Sequence, residues 1–331
     1  MAGRWTRKVQ FGDEGTAGTA VAATVMWSGN GVAQEERDMV TLDYADGSVV
    51  GNDDSYTSRV GGTIALDSTP ASFEHLPLIL EMGIKTVAGS ADGGGSDYIY
   101  TYDLPELAAQ TVKTATVEAG DGQQAKEMDY AFAEGFSITG AAAGPMMVSA
   151  NLRGRQWTPT SFTSLTPDAV ETILFGKGTL YIDTTYGNMG NTEKSSTLLG
   201  MAFNANTGLK PKYTANGDVE FDFIYQDKAE FTLDITFEYN ATAVAGEAAW
   251  RAVTAQYIKL IWTGSDFGTG GTTYSAHTLI FNLYGKWTSF DPMQDADGND
   301  IMTGHLKVLY DSANTFTGNI IVVNESADVW A

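Results

Sequence analysis

The sequence predicts a mainly β protein made of two tandem β-sandwich domains, each with one short flanking α-helix. Three observations carry that expectation. Residues 130–138 place Tyr130, Phe132, Phe136 and Ile138 on alternate positions, Gly140 and Gly144-Pro145 break the run, and Met146, Val148, Ala150 and Leu152 resume it. Period-2 patterning on both sides of a Gly/Pro turn marks a β-hairpin with one buried face. The same alternation returns in the second half, and helical periodicity is confined to one short segment per half.

Taken in order, the first strand is expected around residues 7–11, followed by a Gly/Thr/Ala-rich loop to Thr24. Val40, Leu42 and Tyr44 alternate with Thr41 and Asp43 up to the Asp46-Gly47 turn signal, and another strand is expected over 62–67. The first helix is expected over 70–82, with Thr69 as cap, Pro70 in the first turn, Gly83 as terminator and Pro77 as an internal kink or a restart of the helix. A Tyr-rich strand (98–102) follows the glycines at 93–95. Residues 114–127, rich in Gly, Gln and charge, are expected to protrude. The hairpin at 129–157 closes this half.

In the second half, Val219, Phe221, Phe223 and Tyr225 alternate with Asp218, Glu220 and Asp222, and Phe231 to Tyr239 alternate with Thr232, Asp234, Thr236 and Glu238. These read as an antiparallel strand pair joined at Asp227-Lys228. A helix over 247–256 puts Ala249, Trp250 and Val253 on one face, and strands are expected at 257–262, 278–288, 304–310 and 319–323. Both halves thus follow one order: strand, Gly/Thr loop, strand pair, single helix, strand after a loop, closing hairpin. Residue identity between them is low, so the repeat is one of architecture. The expected division is a first domain over 1–160, a linker over 161–174 after Pro159 and across Pro167, and a second domain over 175–331.

Composition narrows the function. Hydrophobic residues make up 43% of 331, enough for sizeable cores. Acidic residues outnumber basic ones by 41 to 19, a net charge of −22, which argues against non-specific nucleic-acid binding and against anionic membrane as a partner. With no cysteine there is no disulfide, thiolate metal site or Cys nucleophile. The N-terminus shows no signal-peptide pattern and no run is long enough to span a membrane, so cytoplasmic folding is expected.

His75, His277 and His305 are scattered without ligand-like spacing, and residues 295–300 depart from the EF-hand pattern at the sixth and twelfth positions, Asp300 and Leu306. The glycine clusters at 93–95 and 268–270 lack the helix and lysine of nucleotide loops, and there is no Gly-x-Ser-x-Gly or His-Glu-x-x-His. No enzyme, cofactor or metal is expected.

The stretch 18–24 (Gly-Thr-Ala-Val-Ala-Ala-Thr), the segment Phe73-Glu74-His75-Leu76-Pro77-Leu78-Ile79-Leu80-Glu81-Met82-Gly83, and the closing hairpin 136–154 together resemble the tail tube proteins of long-tailed bacteriophages. The resemblance covers most of residues 1–157; over 175–331 it rests on element order. It implies a structural virion protein whose rings stack into the tail tube through which DNA leaves during genome ejection. Single-domain members are about half as long as this chain, so two fused tube domains would give, in place of a ring of six, a pseudo-hexameric ring of three chains. The implied partners are further copies of the chain, the tape measure, tail terminator and distal tail proteins, and phage DNA that passes without specific binding. Assembly would take place in the host cytoplasm. On this reading the candidate lumen-facing acids are Asp43, Asp67, Asp218, Glu220, Asp222, Asp234 and Glu238. The candidate inter-ring contacts are residues 46–58 and the loop Gly120, Asp121, Gly122, Gln123 and Gln124. The alternatives are a carbohydrate-binding or adhesive β-sandwich using Trp27, Trp157, Trp262, Trp287 and several tyrosines as stacking platforms, and a β-sandwich hydrolase using paired acids.

Overall fold

A computed structural model describes residues 6–42, 44, 47, 50, 54–296 and 298–331. The fold is mainly β. The first half runs β1 (Lys8–Asp13), β2 (Val25–Met26), β3 (Gly31–Thr41), β4 (Ser55–Pro70), α1 (Leu76–Gly83), β5 (Ser90–Ala91), β6 (Tyr98–Asp103), β7 (Ala115–Gly120), β8 (Ala125–Ala141), β9 (Met147–Gly154) and β10 (Thr158–Thr160). The second runs β11 (Gly178–Asp183), β12 (Leu198–Asn206), β13 (Leu209–Lys212), β14 (Phe223–Gln226), β15 (Glu230–Glu238), α2 (Ala241–Arg251), β16 (Gln256–Asp266), β17 (Ala276–Phe290), β18 (Gln294–Ala296), β19 (Asn299–Val308) and β20 (Gly318–Asn324).

Strand pairing repeats between the halves. The first half pairs in the order β1-β7-β8-β9-β4-β3 and the second in the order β11-β16-β17-β19-β15-β12, all antiparallel. In each half the helix follows the fifth strand of that order. Each also has one long strand that changes neighbours along its length. β8 pairs with β7 and β10 at its start and with β9 further on; β17 pairs with β16 and β20 at its start and with β19 further on. In β8 the change comes at Tyr130, whose φ of 54° bends the strand out of the first sheet.

The halves are joined without a break. Residues Gly135 to Ala141 of β8 pair with Asn206 to Gly200 of β12, and β6 pairs with β20. One buried cluster runs from Val9 and Phe11 through Ile64, Leu152, Phe203 and Leu233 to Leu306 and Trp330. Residues 161–174, expected as a linker, are bound along their C-terminal end. Thr172 bridges Ser72, Leu174 bridges Pro145, and the buried Ile173 donates its N–H to the Ala71 carbonyl. Ile173 and Phe175 alternate into the core, which holds the segment down.

Four expectations need correction. Pro70 ends β4, and α1 begins only at Leu76; Pro77 lies in its first turn, where a missing N–H goes unnoticed, so of the two readings it starts the helix and does not kink it. α2 spans Ala241–Arg251, earlier than expected, because Asn240 caps it by accepting from the Thr242 N–H while Gln256 is drawn into β16. Residues 114–127 do not protrude: Ala115, Val117 and Ala119 are buried in β7, and the exposed part is the turn before Ala125. The expected 218–225 strand is only β14, which pairs with β13, since both edges of β15 are taken by β12 and β19. Phe221 turns inward instead, onto Tyr130, Phe132 and Leu209 in a small separate cluster.

Candidate assembly surface

One sheet crosses the whole molecule in the order β3-β4-β9-β8-β12-β15-β19-β17. Its core face is apolar by alternation: Phe231, Leu233, Ile235 and Phe237 of β15 are buried, while the residues between them are half-buried on the other face. That other face carries small polar side chains through its centre. Ser137 lies opposite Ser149 and Asn204, Asn204 opposite Thr232, and Thr236 opposite Thr303, with Thr236 and Thr303 hydroxyls 3.0 Å apart.

Charges on this face are largely paired. Arg153 donates to Glu36 at 2.6 Å and to Glu134 at 2.5 Å. Lys307 donates to Glu230. His305 sits between Asp234 at 2.7 Å and Asp291 at 3.2 Å. Partial burial opposes the charged imidazole, but the hydrogen bonds to Asp234 and Asp291 outweigh it and hold the pKa above its ordinary value.

Of the seven acids singled out from sequence, Asp234 and Glu238 lie on this polar face, and Asp67 of β4 alternates with the buried Leu66. Asp218, Glu220 and Asp222 are elsewhere, in the segment between β13 and β14. Asp218 accepts from the Val219 N–H, Glu220 from the Gln156 N–H, and Asp222 from the Thr214 hydroxyl. Their alternation follows the turn and the inward Phe221, not a lattice of neighbouring strands. Asp43 lies outside the described residues, as does much of 46–58. The turn Gly120, Asp121, Gly122, Gln123 and Gln124 is a compact hairpin end: Asp121 Oδ1 accepts from the N–H groups of Gln123 and Gln124, and Gly122 to Gln124 are exposed.

The two ends of the sheet are open. β3 pairs with β4 on one side, and among the described residues no strand pairs with its other edge. From Lys286 on, β17 pairs among the described residues with β19 on one side only, and β18 continues that edge. β3 is largely exposed, as are residues 288, 289 and 292–295, including Val32 at 56% and Met293 at 52%. Sequence reasoning missed these edges. The signal available was the run of charges over Glu35, Glu36, Arg37 and Asp38, together with Pro292, both habitual guards of a free strand edge.

The tryptophans offered as stacking platforms are all buried: Trp27, Trp157, Trp262 and Trp287 are core residues. Sequence also missed a cluster at the junction of the halves, where His277 lies 3.6 Å from Glu74 and 3.3 Å from Glu171. Ser265 Oγ is 3.4 Å from His277 Nδ1, which gives the cluster the composition of a hydrolytic triad. Its hydrogen bonding differs. The Ser265 hydroxyl donates to Glu171, and His277 Nδ1 is 3.2 Å from the Ser265 carbonyl, an acceptor that favours the proton on Nδ1. The cluster is a clasp between residue 171, the start of α1 and the β16–β17 end. Burial raises the Glu74 carboxyl above its ordinary value, with the Glu171 N–H partly opposing it. Among the described residues, no group of three or more His, Asp or Glu side chains is placed to hold a metal ion, and no helix is long and apolar enough to cross a membrane. No protein-family model matches the chain, and no curated protein matches it.

Proposed function

We propose that the chain is a structural virion protein that closes into rings, and that these rings stack into a phage tail tube conducting DNA. The observation that carries this reading is the β8–β12 seam. β8 of the first half pairs with the edge strand β12 of the second, in head-to-tail fashion, and among the described residues the corresponding edges, on β3 and on β17–β18, are left open. A head-to-tail contact between unlike edges closes a ring whenever its rotation divides a circle.

Sheet dimensions favour three copies. Strands spaced about 4.8 Å apart and tilted by up to about 45° give 24 strands a backbone diameter of about 37–52 Å. Inward side chains take roughly 5 Å from each wall, leaving about 27–42 Å, room for a DNA duplex about 20 Å wide. Two copies, with 16 strands, leave only about 15–25 Å by the same arithmetic. The polar face of the eight-stranded sheet would line this channel. Its Ser, Thr and Asn side chains and paired charges offer DNA neither a basic track to bind nor a strong repulsive field. The tape measure, tail terminator and distal tail proteins would be its assembly partners.

Negative-stain or cryo-electron microscopy of the purified protein tests this. Rings or tubes with threefold symmetry and an open channel are expected. A compact monomer at all concentrations, or a barrel with no lumen, overturns the reading.

A further inference from the structure

We infer that in the ring, residues 30–36 of one copy pair antiparallel with residues 289–295 of the next, in the register that sets Glu36 opposite Ser289, Val32 opposite Met293 and Asn30 opposite Asp295. This rests on the ring reading above and specifies its interface. The register follows from the repeat within the chain. β8 and β17 each carry one extra residue where they meet their hairpin partners, Glu134 between Ala133 and Gly135, and Thr288 between Trp287 and Ser289. Aligning these bulges sets Phe136 on Phe290, Leu152 on Leu306 and Val148 on Met302, apolar on apolar throughout. Carrying the alignment through the β4–β9 and β15–β19 ladders, and then through β3–β4 and β12–β15, sets Gln34 on Asn204 and Val32 on Ala202. The intrachain seam runs from Gly200 opposite Ala141 to Asn206 opposite Gly135. Translating both strands by the same correspondence gives the inter-copy register.

Independent features of the two edges agree with it. Val32 and Met293 are among the most exposed large apolar side chains of the fold, at 56% and 52%, and the register places them face to face. Glu35 and Glu36 already have partners in Arg37 and Arg153, so neither enters the seam as an unpaired charge. Pro292 falls opposite Ala33. The Asp291 N–H donates to the Thr303 carbonyl, so the backbone of the next residue faces the open edge, where proline offers no N–H. That pair keeps one of its two ladder bonds. The inter-copy seam is therefore weaker than the intrachain one, as suits an edge that stays open until copies meet.

Because the chain has no cysteine, disulfide trapping reads the register directly. Directly opposed residues of an antiparallel pair lie about 4.5–5.5 Å apart at Cα, within disulfide reach. The double variant Val32→Cys/Met293→Cys, oxidised after assembly, should convert most of the protein to covalent trimer on non-reducing gels. Each single variant should give almost none. Ala33→Cys/Met293→Cys, which puts the two thiols on opposite faces, should cross-link at least about tenfold less. Both positions are exposed, so the variants should keep the parent's circular dichroism. Rings that form but trap the slipped pair as well as, or better than, the proposed pair overturn the register and leave the ring reading standing. A chain that stays monomeric overturns both.

Discussion

Glu81 offers the sharpest thermodynamic test of the fold. It lies in α1 with 2% of its surface exposed, and its carboxylate accepts from Trp330 Nε1 at 2.9 Å. Burial pushes its pKa from 4.5 up to about 7, against the smaller opposing effects of Trp330 and Lys113. The unfolded chain releases this proton near pH 4.5 and the folded chain near pH 7. Between those values the folded state binds one more proton, so stability falls as pH rises through the window and levels off above it. At about 1.4 kcal/mol per pH unit, the loss from this group amounts to about 3 kcal/mol. An unfolding entropy of about 2 cal/mol/K per residue over 331 residues converts this to about 4–5 °C in Tm. Glu81→Gln keeps an oxygen for Trp330 and has no proton to lose. Its Tm should match the parent's near pH 4.5 and exceed it by about 4–5 °C at pH 8. Asp129, raised to about 6 by burial despite Arg155, gives a similar slope at lower pH in both proteins and cancels from the difference. Parallel melting curves across pH 4.5–8 would show that Glu81 holds no extra proton in the fold.

Two further outcomes are expected. Nuclear magnetic resonance should find His305 titrating above its ordinary 6.5, and Asp234→Asn should lower that midpoint. The stabilisation is present below 6.5 and is lost as pH rises through the folded value; a His305 that titrates normally removes the Asp234–His305–Asp291 contact from the account. Phe221→Ala should detach the β13–β14 hairpin, at a cost of about 3 kcal/mol, because its ring fills the small cluster between Tyr130 and Phe132. Limited proteolysis should then cut within 209–226 while the main sheet survives, and an unchanged cleavage pattern would refute that packing.

Strand existence was legible wherever one face is buried and the other wet. The β8–β9 hairpin and β15 announce themselves by alternation, and the structure places them where the sequence did. What pairs with what was not legible, because alternation reports burial and says nothing of neighbours. The residues from Val219 to Tyr225 show the limit: their pattern matches a strand of the main sheet, yet of the alternating apolar residues only Phe221 packs, on Tyr130 and Phe132, while Val219, Phe223 and Tyr225 stay exposed. Helix boundaries failed for a local reason, since Asn240 followed by Ala-Thr-Ala-Val is a clear cap and start that the apolar spacing of 249–253 obscured. The candidate acids divided in the same way. Asp234 and Glu238 sit on a true strand face, whereas Asp218, Glu220 and Asp222 inherit their spacing from a turn. The open edges went unread because alternation does not report them; only the charges over 35–38 and Pro292 marked them.

The β8–β12 seam is formed by one polypeptide, and this changes the kinetics of the ring we propose. A tethered encounter proceeds at an effective concentration in the millimolar range, whatever the amount of protein in the cell. Each encounter between separate chains instead gives up several kcal/mol of translational and rotational freedom. A three-copy ring has six such seams, and three exist before any two chains collide. Joining two halves in one polypeptide thus separates two demands that a single-half protein must meet with one interface. The tethered seam can be built for permanence, with Phe203 and Ile138 both fully buried. The untethered one, with Pro292 and its exposed charges, can be slow to engage, so that assembly waits for whatever template starts it.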